Sequence, residues 1–342
     1  MKDIFTDFIG QDGPRKQLNF LFDDWKGSQV FPNSIFIAPR GHGKTAFATA
    51  LGMAMQEHRS TKRFVVKTAS SWRNLDQFMA DVIARDVMQG ECVVLIDEAH
   101  ELPMDVQTAM LTMLADNKDN RNTYSHGDTD IQIDFTRHTF LFATTEPHKV
   151  FHALMSRLWP IHLDHYTPTQ LGKILKTNLP KIKFGPKVLD AVASVLRDEP
   201  RKAVQYANRI FSFLKKRKKK SFLLKDWETL CDFLNIKPLG LTSSEIRLLQ
   251  ALATGTEFSL THLASKLDME ATAVRTNLEI FLLKKNLMQV KPTGRSLTKA
   301  GQKYLKEYAA ICGWWIQSGG SRRVAPPHGL WGQWRRMDMP FW

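Results

Sequence analysis

Short continuous apolar runs alternate with helical periodicity in the first half of the chain. The predicted strands cover residues 34–37, 63–67, 91–96 and 139–143, and each contains such a run. Runs of this length without polar alternation are typical of strands buried on both faces of a parallel sheet. Apolar residues recur at helical spacing in stretches that lie between the runs, at 46–55, 74–83 and 104–114. Strands that alternate with helices predict an α/β fold built on a parallel sheet.

The pattern changes twice in the second half. Residues 166–213 show helices without strands, which predicts a separate helical domain. Residues 241–308 show three helix starts and then a hairpin at 287–298. Three helices followed by a two-stranded wing predict a winged helix-turn-helix. Some winged helices bind only protein, so this fold alone does not establish a DNA contact.

These changes divide the chain into four predicted segments. They are a large α/β domain, a helical domain, a winged helix and a tail, at 1–165, 166–238, 239–308 and 309–342. The tail is rich in Trp and Arg and is low in helix signals from Gly313 onward. Such a segment cannot build a core of its own, so we expect it to be disordered until it meets a partner. Its composition suits either stacking on single-stranded nucleic acid or a docking peptide.

The loop at 38–45 lies between the first apolar run and the next helix, and it has the sequence Ala-Pro-Arg-Gly-His-Gly-Lys-Thr. A strand, a glycine-containing loop, Lys-Thr and a helix are the layout of a phosphate-binding P-loop. Glycines let backbone N–H groups approach phosphates, Lys44 can reach the β- and γ-phosphates, and Thr45 can ligate Mg²⁺. Ala38 replaces the first glycine, where a methyl group is tolerated better than at Gly43. The predicted phosphate contacts are Pro39, Arg40, Gly41, His42, Gly43, Lys44 and Thr45. An ordinary strand-turn-helix with a chance Gly-Lys-Thr is the alternative.

Two later apolar runs also end in polar residues. Asp97 and Glu98 follow the run at 91–96, and Thr144 and Thr145 follow the run at 139–143. Open α/β sheets bind ligands at the carboxyl ends of their strands. We therefore expect Asp97 to hold Mg²⁺, Glu98 to polarise the attacking water, and Thr145 to reach the γ-phosphate or that water. A solvated strand end would also explain the two acids, and helix N-capping would explain Thr145.

Two arginines and one polar segment are further candidates. Arg157 follows a helical segment, and its distance from the strands suits an arginine supplied in trans to a neighbouring subunit's nucleotide. Arg201 lies in the first turn of a helix, where the dipole disfavours a cation, so it is a candidate to face a ligand anion. Each arginine could equally be an exposed surface residue. Residues 116–135 predict a β-hairpin inserted before the next sheet strand, with a loose loop as the alternative.

The charge balance favours a polyanionic partner. The 342 residues hold 48 Lys and Arg against 34 Asp and Glu, a net charge of +14, and a field of this sign suits nucleic acid better than a merely solubilising surface. One block of cations, at 215–220, is either a solvated helix end or a phosphate contact.

Neither membrane insertion nor export is predicted. No apolar run approaches the ~20 residues of a membrane span, and the N-terminus lacks the apolar core of a signal peptide, so we expect a cytoplasmic protein. The cysteines, Cys92, Cys231 and Cys312, are too scattered for a disulfide framework or a metal cluster.

In their order along the chain, these motifs resemble those of an AAA+ ATPase, and more narrowly the RuvB-type motors of Holliday-junction branch migration. The resemblance covers residues 5–308 and assigns further roles. Phe8-Ile9-Gly10-Gln11 matches a segment that packs on the adenine, and Phe8 and Ile9 become candidate adenine contacts. Tyr166 opens the helical lid, Arg201 matches the sensor 2 arginine, and the family's wing arginine falls on Arg295. We expect Arg295 at the wing tip, in contact with DNA.

The resemblance implies a homo-oligomer, expected to be a hexameric ring, that binds ATP and Mg²⁺ and moves duplex or branched DNA through its centre. The segment 116–135 matches the hairpin that docks a junction-binding partner, although here it is more polar. One alternative is a clamp-loader or helicase-loader ATPase, which would end in an oligomerising helical domain instead of a winged helix. Another is a nucleotide-gated DNA-binding scaffold that hydrolyses little ATP, against which the presence of Glu98 and Arg157 speaks.

Overall fold

The computed structural model describes residues 3–28, 30–115, 121–126, 129–255 and 257–317. The chain forms two compact units: Met1–Pro180 with Asp198–Arg209, and Lys181–Arg197 with the residues from Ile210 onward. These units are coarser than the predicted domains, whose boundaries stay predictions. Within the described ranges, no helix has the length and apolarity needed to cross a membrane. The predicted disorder of the tail beyond residue 317 falls outside these ranges.

The first unit is an alternation of helices and strands. Its α-helices are α1 (Asp12–Ser28), α2 (Lys44–His58), α3 (Leu75–Phe78), α4 (Met104–Met113), α5 (His152–Met155) and α6 (Pro168–Thr177). Its strands are β1 (Ser34–Ile37), β2 (Arg63–Thr68), β3 (Cys92–Asp97), β4 (Arg121–His126), β5 (Thr129–Asp134), β6 (Thr139–Thr144) and β7 (Trp159–His162). A π-helix, Met79–Val87, continues α3, and short 3₁₀ turns cover Ala69–Ser71, Ala99–Glu101, Phe135–Arg137 and Pro147–Lys149.

Five of these strands form the central sheet, in the order β2-β3-β6-β1-β7. All four pairings are parallel, which confirms the predicted parallel sheet. In β3 the side chains alternate between the two faces: Val94 packs in one hydrophobic core, and Val93 and Leu95 pack in the other. Both faces are therefore buried, as the continuous apolar run requires. Because the strands are parallel, the carboxyl ends of β1, β3 and β6 lie at one edge of the sheet.

The hairpin of β4 and β5 was predicted from the sequence, whereas the edge strand β7 was not. β4 and β5 pair antiparallel, which confirms the β-hairpin predicted at 116–135 over the loose loop. The edge strand β7 was not predicted, because only Ile161 of its four residues is buried. An edge strand packs on one neighbour only, so it needs no continuous apolar run, and it tolerates the proline at 160.

The second unit combines small helices, two short sheets and a three-helix core. Its strands are β8 (Lys183–Phe184), β9 (Ser221–Phe222), β10 (Met288–Lys291) and β11 (Gly294–Leu297). Its helices are α7 (Val188–Ala193), α8 (Pro200–Lys216, which begins in the first unit), α9 (Leu224–Leu234), α10 (Ser243–Leu252), α11 (Leu260–Leu267), α12 (Ala271–Ala273), α13 (Ile280–Lys284) and α14 (Lys299–Gln317). The π-helix Val274–Glu279 joins α12 to α13, and a 3₁₀ turn covers Pro238–Gly240.

The winged helix contains the predicted helices and the predicted two-stranded wing. Thr242 caps α10 and Ser259 caps α11 through their side chains, and β10 and β11 pair antiparallel as the wing. One expectation is wrong at its end: α14 runs through Gln317, past Gly313, where the sequence was expected to lose helical character. This packed domain is tied to the preceding segment by Arg197, which donates two hydrogen bonds to the buried carboxylate of Glu245.

Candidate nucleotide-binding site

The P-loop connects β1 to α2 with the geometry that phosphate binding needs. Gly41 and Gly43 have φ angles of 81° and 93°, in the left-handed region that favours glycine. α2 begins at Lys44, directly after Gly43, so the free N–H groups of its first turn face the loop. Ala38 is buried at the end of β1. Its methyl group packs in the core beneath the sheet, so the loss of the first glycine leaves the loop intact.

Lys44 is drawn into the loop. Its Nζ donates hydrogen bonds to the backbone oxygens of Ala38 and Pro39, at 3.0 and 3.3 Å. Burial lowers the pKa of the Lys44 ammonium, and the nearby carboxylates of Glu98 and Asp97 oppose this shift. A buried cation surrounded by loop carbonyls is suited to phosphate oxygens, which can replace those carbonyls as partners.

Thr45, in the first turn of α2, contacts Asp97, the last residue of β3, although β1 and β3 are not neighbours in the sheet. The Thr45 hydroxyl donates to Asp97 Oδ2 at 2.9 Å, across the end of β6. A hydroxyl and a carboxylate are oxygen ligands of the kind that Mg²⁺ prefers beside substrate phosphates. In the described part of the chain, no group of three or more His, Cys, Asp or Glu could hold a metal by itself. The pair therefore fits a Mg²⁺ that is shared with a nucleotide.

Glu98 follows β3 in a constrained conformation. Its φ of 53° lies in the left-handed region, which is uncommon for a residue other than glycine and is frequent at active sites. Its side chain lines the same cleft as Lys44 and Asp97. One carboxylate oxygen, Oε2, is buried without a hydrogen bond and lies 3.6 Å from Nδ1 of His100. The Glu98 carboxylate therefore lies beside the cleft and approaches His100 through Oε2.

His100 is a candidate functional residue that the sequence reasoning did not single out. The side chain is buried, and Nδ1 lies 3.0 Å from the Thr144 hydroxyl at the end of β6. Nε2 lies 3.5 Å from the carboxylates of Glu101 and Glu146. The imidazole therefore links the end of β3 to the end of β6. Its sequence signal was its place in Asp-Glu-Ala-His, directly after a buried strand.

Thr144, the last residue of β6, and Thr145, which follows it, differ in their surroundings. Thr144 is fully buried, contacts His100, and accepts a hydrogen bond from the backbone N–H of Glu146 at 3.1 Å. No side chain caps the 3₁₀ turn that follows, whose N-cap position is Glu146, so the N-capping alternative for Thr145 is wrong. Thr145 is half-buried and is not among the residues that line the cleft, so its catalytic role stays a prediction.

One cleft of about 410 Å³ brings most of the predicted site together. Its walls come from the N-terminal segment, the P-loop, the end of β3, α6 and the start of α8. The predicted residues that line it are Phe8, Ile9, Arg40, Gly41, Gly43, Lys44, Thr45, Asp97, Glu98, Tyr166 and Arg201. Pro39 and His42 are not among them; Pro39 supplies a carbonyl to Lys44, and His42 is buried behind the loop, its ring 6.2 Å from the Tyr166 ring.

The two ends of the cleft differ in chemistry. At the apolar end, the ring of Phe8 packs 4.2 Å from that of Phe47, and Ile9 and Tyr166 complete the wall. Such a surface suits a flat heterocycle such as adenine. At the polar end, α8 begins at Pro200, and the backbone N–H of Arg201 donates to the Gly41 oxygen at 3.3 Å. Arg201 therefore stands in the first turn of its helix and beside the phosphate loop, as predicted.

Arg157 lies outside this cleft. It follows α5 on the surface, and its guanidinium donates to the Ala153 carbonyl at 2.7 Å. It is not among the residues that line the cleft of its own chain. This placement is compatible with action on another subunit, which stays a prediction.

The predicted position of Arg295 at the wing tip is wrong. The tip lies between Lys291 and Gly294, and Arg295 lies inside β11, opposite Val290. Its guanidinium donates to Glu279 Oε1 at 2.8 Å, and only 18% of the Arg295 side chain and 3% of the Glu279 side chain are exposed. The charge of Arg295 is therefore already paired with a buried carboxylate within the winged helix.

Arg295→Ala is expected to destabilise the winged helix. Removal of the arginine leaves the Glu279 carboxylate buried without its partner, which typically costs about 3–5 kcal/mol. The control is Lys291→Ala, since the Lys291–Glu257 pair is partly exposed and should contribute less than about 1 kcal/mol. Urea unfolding measures both variants. Equal unfolding free energies for the two would show that the buried pair does not stabilise the domain.

Comparisons with known proteins agree with this architecture. Residues 34–162 match the model of the ATPase family associated with various cellular activities (AAA), and residues 238–306 match that of the RuvB C-terminal winged helix domain. The Holliday junction branch migration complex subunit RuvB of Ehrlichia ruminantium is 24% identical over 312 residues, covering 89% of this chain and 92% of that protein. The corresponding subunit of Bifidobacterium adolescentis is 25% identical over 323 residues, covering 88% and 83%.

The solved structures support the fold independently. The RuvB Holliday junction branch migration motor of Thermotoga maritima superposes with a TM-score of 0.71 at 23% identity, covering 89% of this chain and 97% of that one. Fold, P-loop and winged helix together define the class: an ATP hydrolase that combines an AAA domain with a C-terminal winged helix. Within that class it resembles the RuvB branch-migration proteins, as a distant relative.

Proposed function

We propose that this protein is an ATP-driven motor that moves duplex DNA and drives branch migration in recombination or repair. The main support for this proposal is that one chain contains both a cleft suited to phosphate binding and a winged helix that matches the RuvB type. A clamp loader or helicase loader would share the cleft but would end in an oligomerising helical domain. The curated relatives named above are subunits of Holliday junction branch migration complexes.

The cleft suggests how the chain's own residues divide the work of hydrolysis. Lys44 binds the β- and γ-phosphates, and the first-turn N–H groups of α2 surround them. Glu98 orients a water for in-line attack on the γ-phosphate and accepts its proton. Arg201 of the same chain and Arg157 of a neighbouring subunit stabilise the charge that develops on the transferred group. Thr45 and Asp97 would hold Mg²⁺, which supplies charge neutralisation when it is bound.

The partners follow from this mechanism. An arginine that acts in trans requires a homo-oligomer, and we propose a hexameric ring around duplex or branched DNA. The hairpin of β4 and β5 is placed as an insertion directly before β6, where a junction-binding protein could dock. A motor for chromosomal DNA in a bacterial type of repair would work in the cytoplasm. Movement of α6 and the start of α8 with nucleotide state would couple hydrolysis to DNA movement.

The test is strand exchange on a synthetic four-way junction with homologous arms. The protein with ATP and Mg²⁺, tested with and without a junction-binding partner, should convert the junction into two duplexes, and DNA should stimulate hydrolysis. DNA-stimulated hydrolysis without any branch migration would favour a loader. Junction binding with nucleotide-dependent affinity but little turnover would favour the scaffold alternative.

Lys44→Ala should lose ATP binding and, with it, branch migration. Lys44 is the buried cation of the loop. Each charge-assisted contact to a phosphate contributes about 1.5–3 kcal/mol, so the loss of two contacts should lower the ATP affinity by roughly a hundredfold or more. Titration calorimetry with ATP measures the loss. Lys16→Ala removes an exposed lysine from α1 of the same unit and serves as the control. Unchanged ATP affinity in Lys44→Ala would refute the P-loop assignment.

A further inference from the structure

The C-terminal end of α8 carries an unusual concentration of positive charge. The six residues at 215–220, here called the basic turn, are all Lys or Arg, and all are exposed. A cation in the last turn of a helix is favourable because it interacts with the helix dipole. The helix dipole therefore explains the charges of Lys215 and Lys216, which end α8. It does not cover Lys218 and Lys220, which lie beyond the helix.

The basic turn is an ordered structure. The backbone N–H of Lys219 donates to the Leu214 oxygen at 3.1 Å, and that of Lys218 donates to the Lys215 oxygen at 3.2 Å. These two bonds are the Schellman motif, whose left-handed position is usually a glycine. Here that position is Lys218, with a φ of 52°. A lysine in a position that favours glycine is explained better by its charge than by the local fold.

The charges of the turn are mostly uncompensated. Lys219 pairs with Asp226 at 2.6 Å. The Arg217 guanidinium stacks on the Phe213 ring, 3.8 Å from its centroid, which fixes the plane of the group and leaves its N–H edges available. For the other four cations, the described ranges show no carboxylate within 4.0 Å of the charged nitrogen. Repulsion among these neighbours costs stability, and an external polyanion bound at this surface would relieve it.

A neighbouring strand extends the same surface. β8 and β9 pair in parallel, and the backbone N–H of Lys183 donates to the Lys220 oxygen at 3.0 Å. The exposed Lys183 therefore lies next to the end of the basic turn. The winged helix belongs to the same compact unit, to which Arg197 ties it through Glu245. A DNA segment bound by the wing and one bound by the basic turn would thus contact the same compact unit.

We propose that the basic turn, with Lys183, is a second DNA-binding site, which contacts the phosphate backbone without reading sequence. This inference rests on the proposed function, since it supplies a grip on the DNA that such a motor moves. The basic turn also supplies positive charge that Arg295 does not, because the charge of Arg295 is already neutralised by Glu279. Point cations on flexible stems suit phosphates and carry no base specificity.

The test compares two triple variants of equal net charge. One changes Lys216, Lys218 and Lys220 to Gln; the control changes Lys299, Lys303 and Lys306, on α14 of the same unit, to Gln. Each lowers the net charge from +14 to +11, since three cations are removed. Anisotropy of a labelled duplex, titrated at several salt concentrations, gives the affinity and its salt slope. We expect the basic-turn variant to lose about tenfold or more in affinity and about three units of slope, and the control to lose much less.

Each outcome of this comparison decides a different point. If the unmodified protein binds no DNA, the proposed function fails first. If it binds DNA and the two variants lose affinity equally, or neither does, the basic turn is not a site. An acidic protein surface as the true partner would give that last result.

Lys218→Gly separates charge from fold at a single position. Glycine suits the left-handed conformation better than lysine, so the melting temperature should stay the same or rise. DNA affinity should nevertheless fall, with a loss of about one unit of salt slope for one phosphate contact. Unchanged DNA binding in this variant would overturn the role of Lys218.

Discussion

Arg157→Ala should bind ATP with normal affinity and yet hydrolyse almost none. Arg157 lies on the surface outside the cleft of its own chain, so its removal should leave the nucleotide contacts of that chain in place. An arginine that stabilises the transition state of phosphoryl transfer contributes roughly 10³–10⁵ in turnover. Calorimetry for ATP affinity and steady-state hydrolysis together measure the split. Arg85→Ala, which removes an exposed arginine that is paired within its own helix, is the matched control.

A mixing experiment tests whether Arg157 acts in trans. In rings assembled from Arg157→Ala and Lys44→Ala subunits, some interfaces join an intact P-loop to an intact Arg157. Those interfaces should hydrolyse ATP, so activity should rise from near zero to a maximum at intermediate mixing ratios. If mixed rings form and no ratio restores activity, Arg157 does not act on the neighbouring subunit.

The positions of the P-loop residues were predictable from the sequence because the determinants of this loop are local. A glycine loop between a strand and a helix fixes the positions of Gly43, Lys44 and Thr45 within a few residues of each other. Asp97 was predictable for a different reason: parallel strands deliver their carboxyl ends to one edge, so a polar residue after one buried strand meets the loop after another. The 2.9 Å bond between Thr45 and Asp97 follows from that rule.

The errors and omissions concern contacts between residues far apart in sequence. The sequence places Arg295 beside a glycine turn, but it does not show that Glu279, sixteen positions earlier, is buried against it. His100 was missed because its partner, Thr144, lies 44 positions later in the sequence, at the end of β6. The hairpin register and the edge strand β7 likewise depend on pairing, to which an apolar pattern is only a partial guide.

Glu98→Gln should retain ATP binding and lose turnover. The Glu98 side chain lines the cleft that Lys44 also lines, so its carboxylate can accept a hydrogen bond from a water placed there for attack. Glutamine keeps the shape but cannot accept the proton. Loss of a general base typically costs roughly 10²–10⁴ in rate, and with hydrolysis blocked, ATP should hold the assembled ring.

The neighbouring carboxylate supplies the control. Glu101 contacts His100, as Glu98 does, but is not among the residues that line the cleft. Glu101→Gln removes one charge near the imidazole and should keep the hydrolysis rate within about threefold of that of the unmodified protein. In Glu98→Gln the hydrolysis rate should fall by roughly a hundredfold or more. Single-turnover hydrolysis at saturating ATP removes any effect on binding from the comparison. If Glu98→Gln also stays within about threefold, Glu98 does not activate the water, and another group at this edge of the sheet must do so.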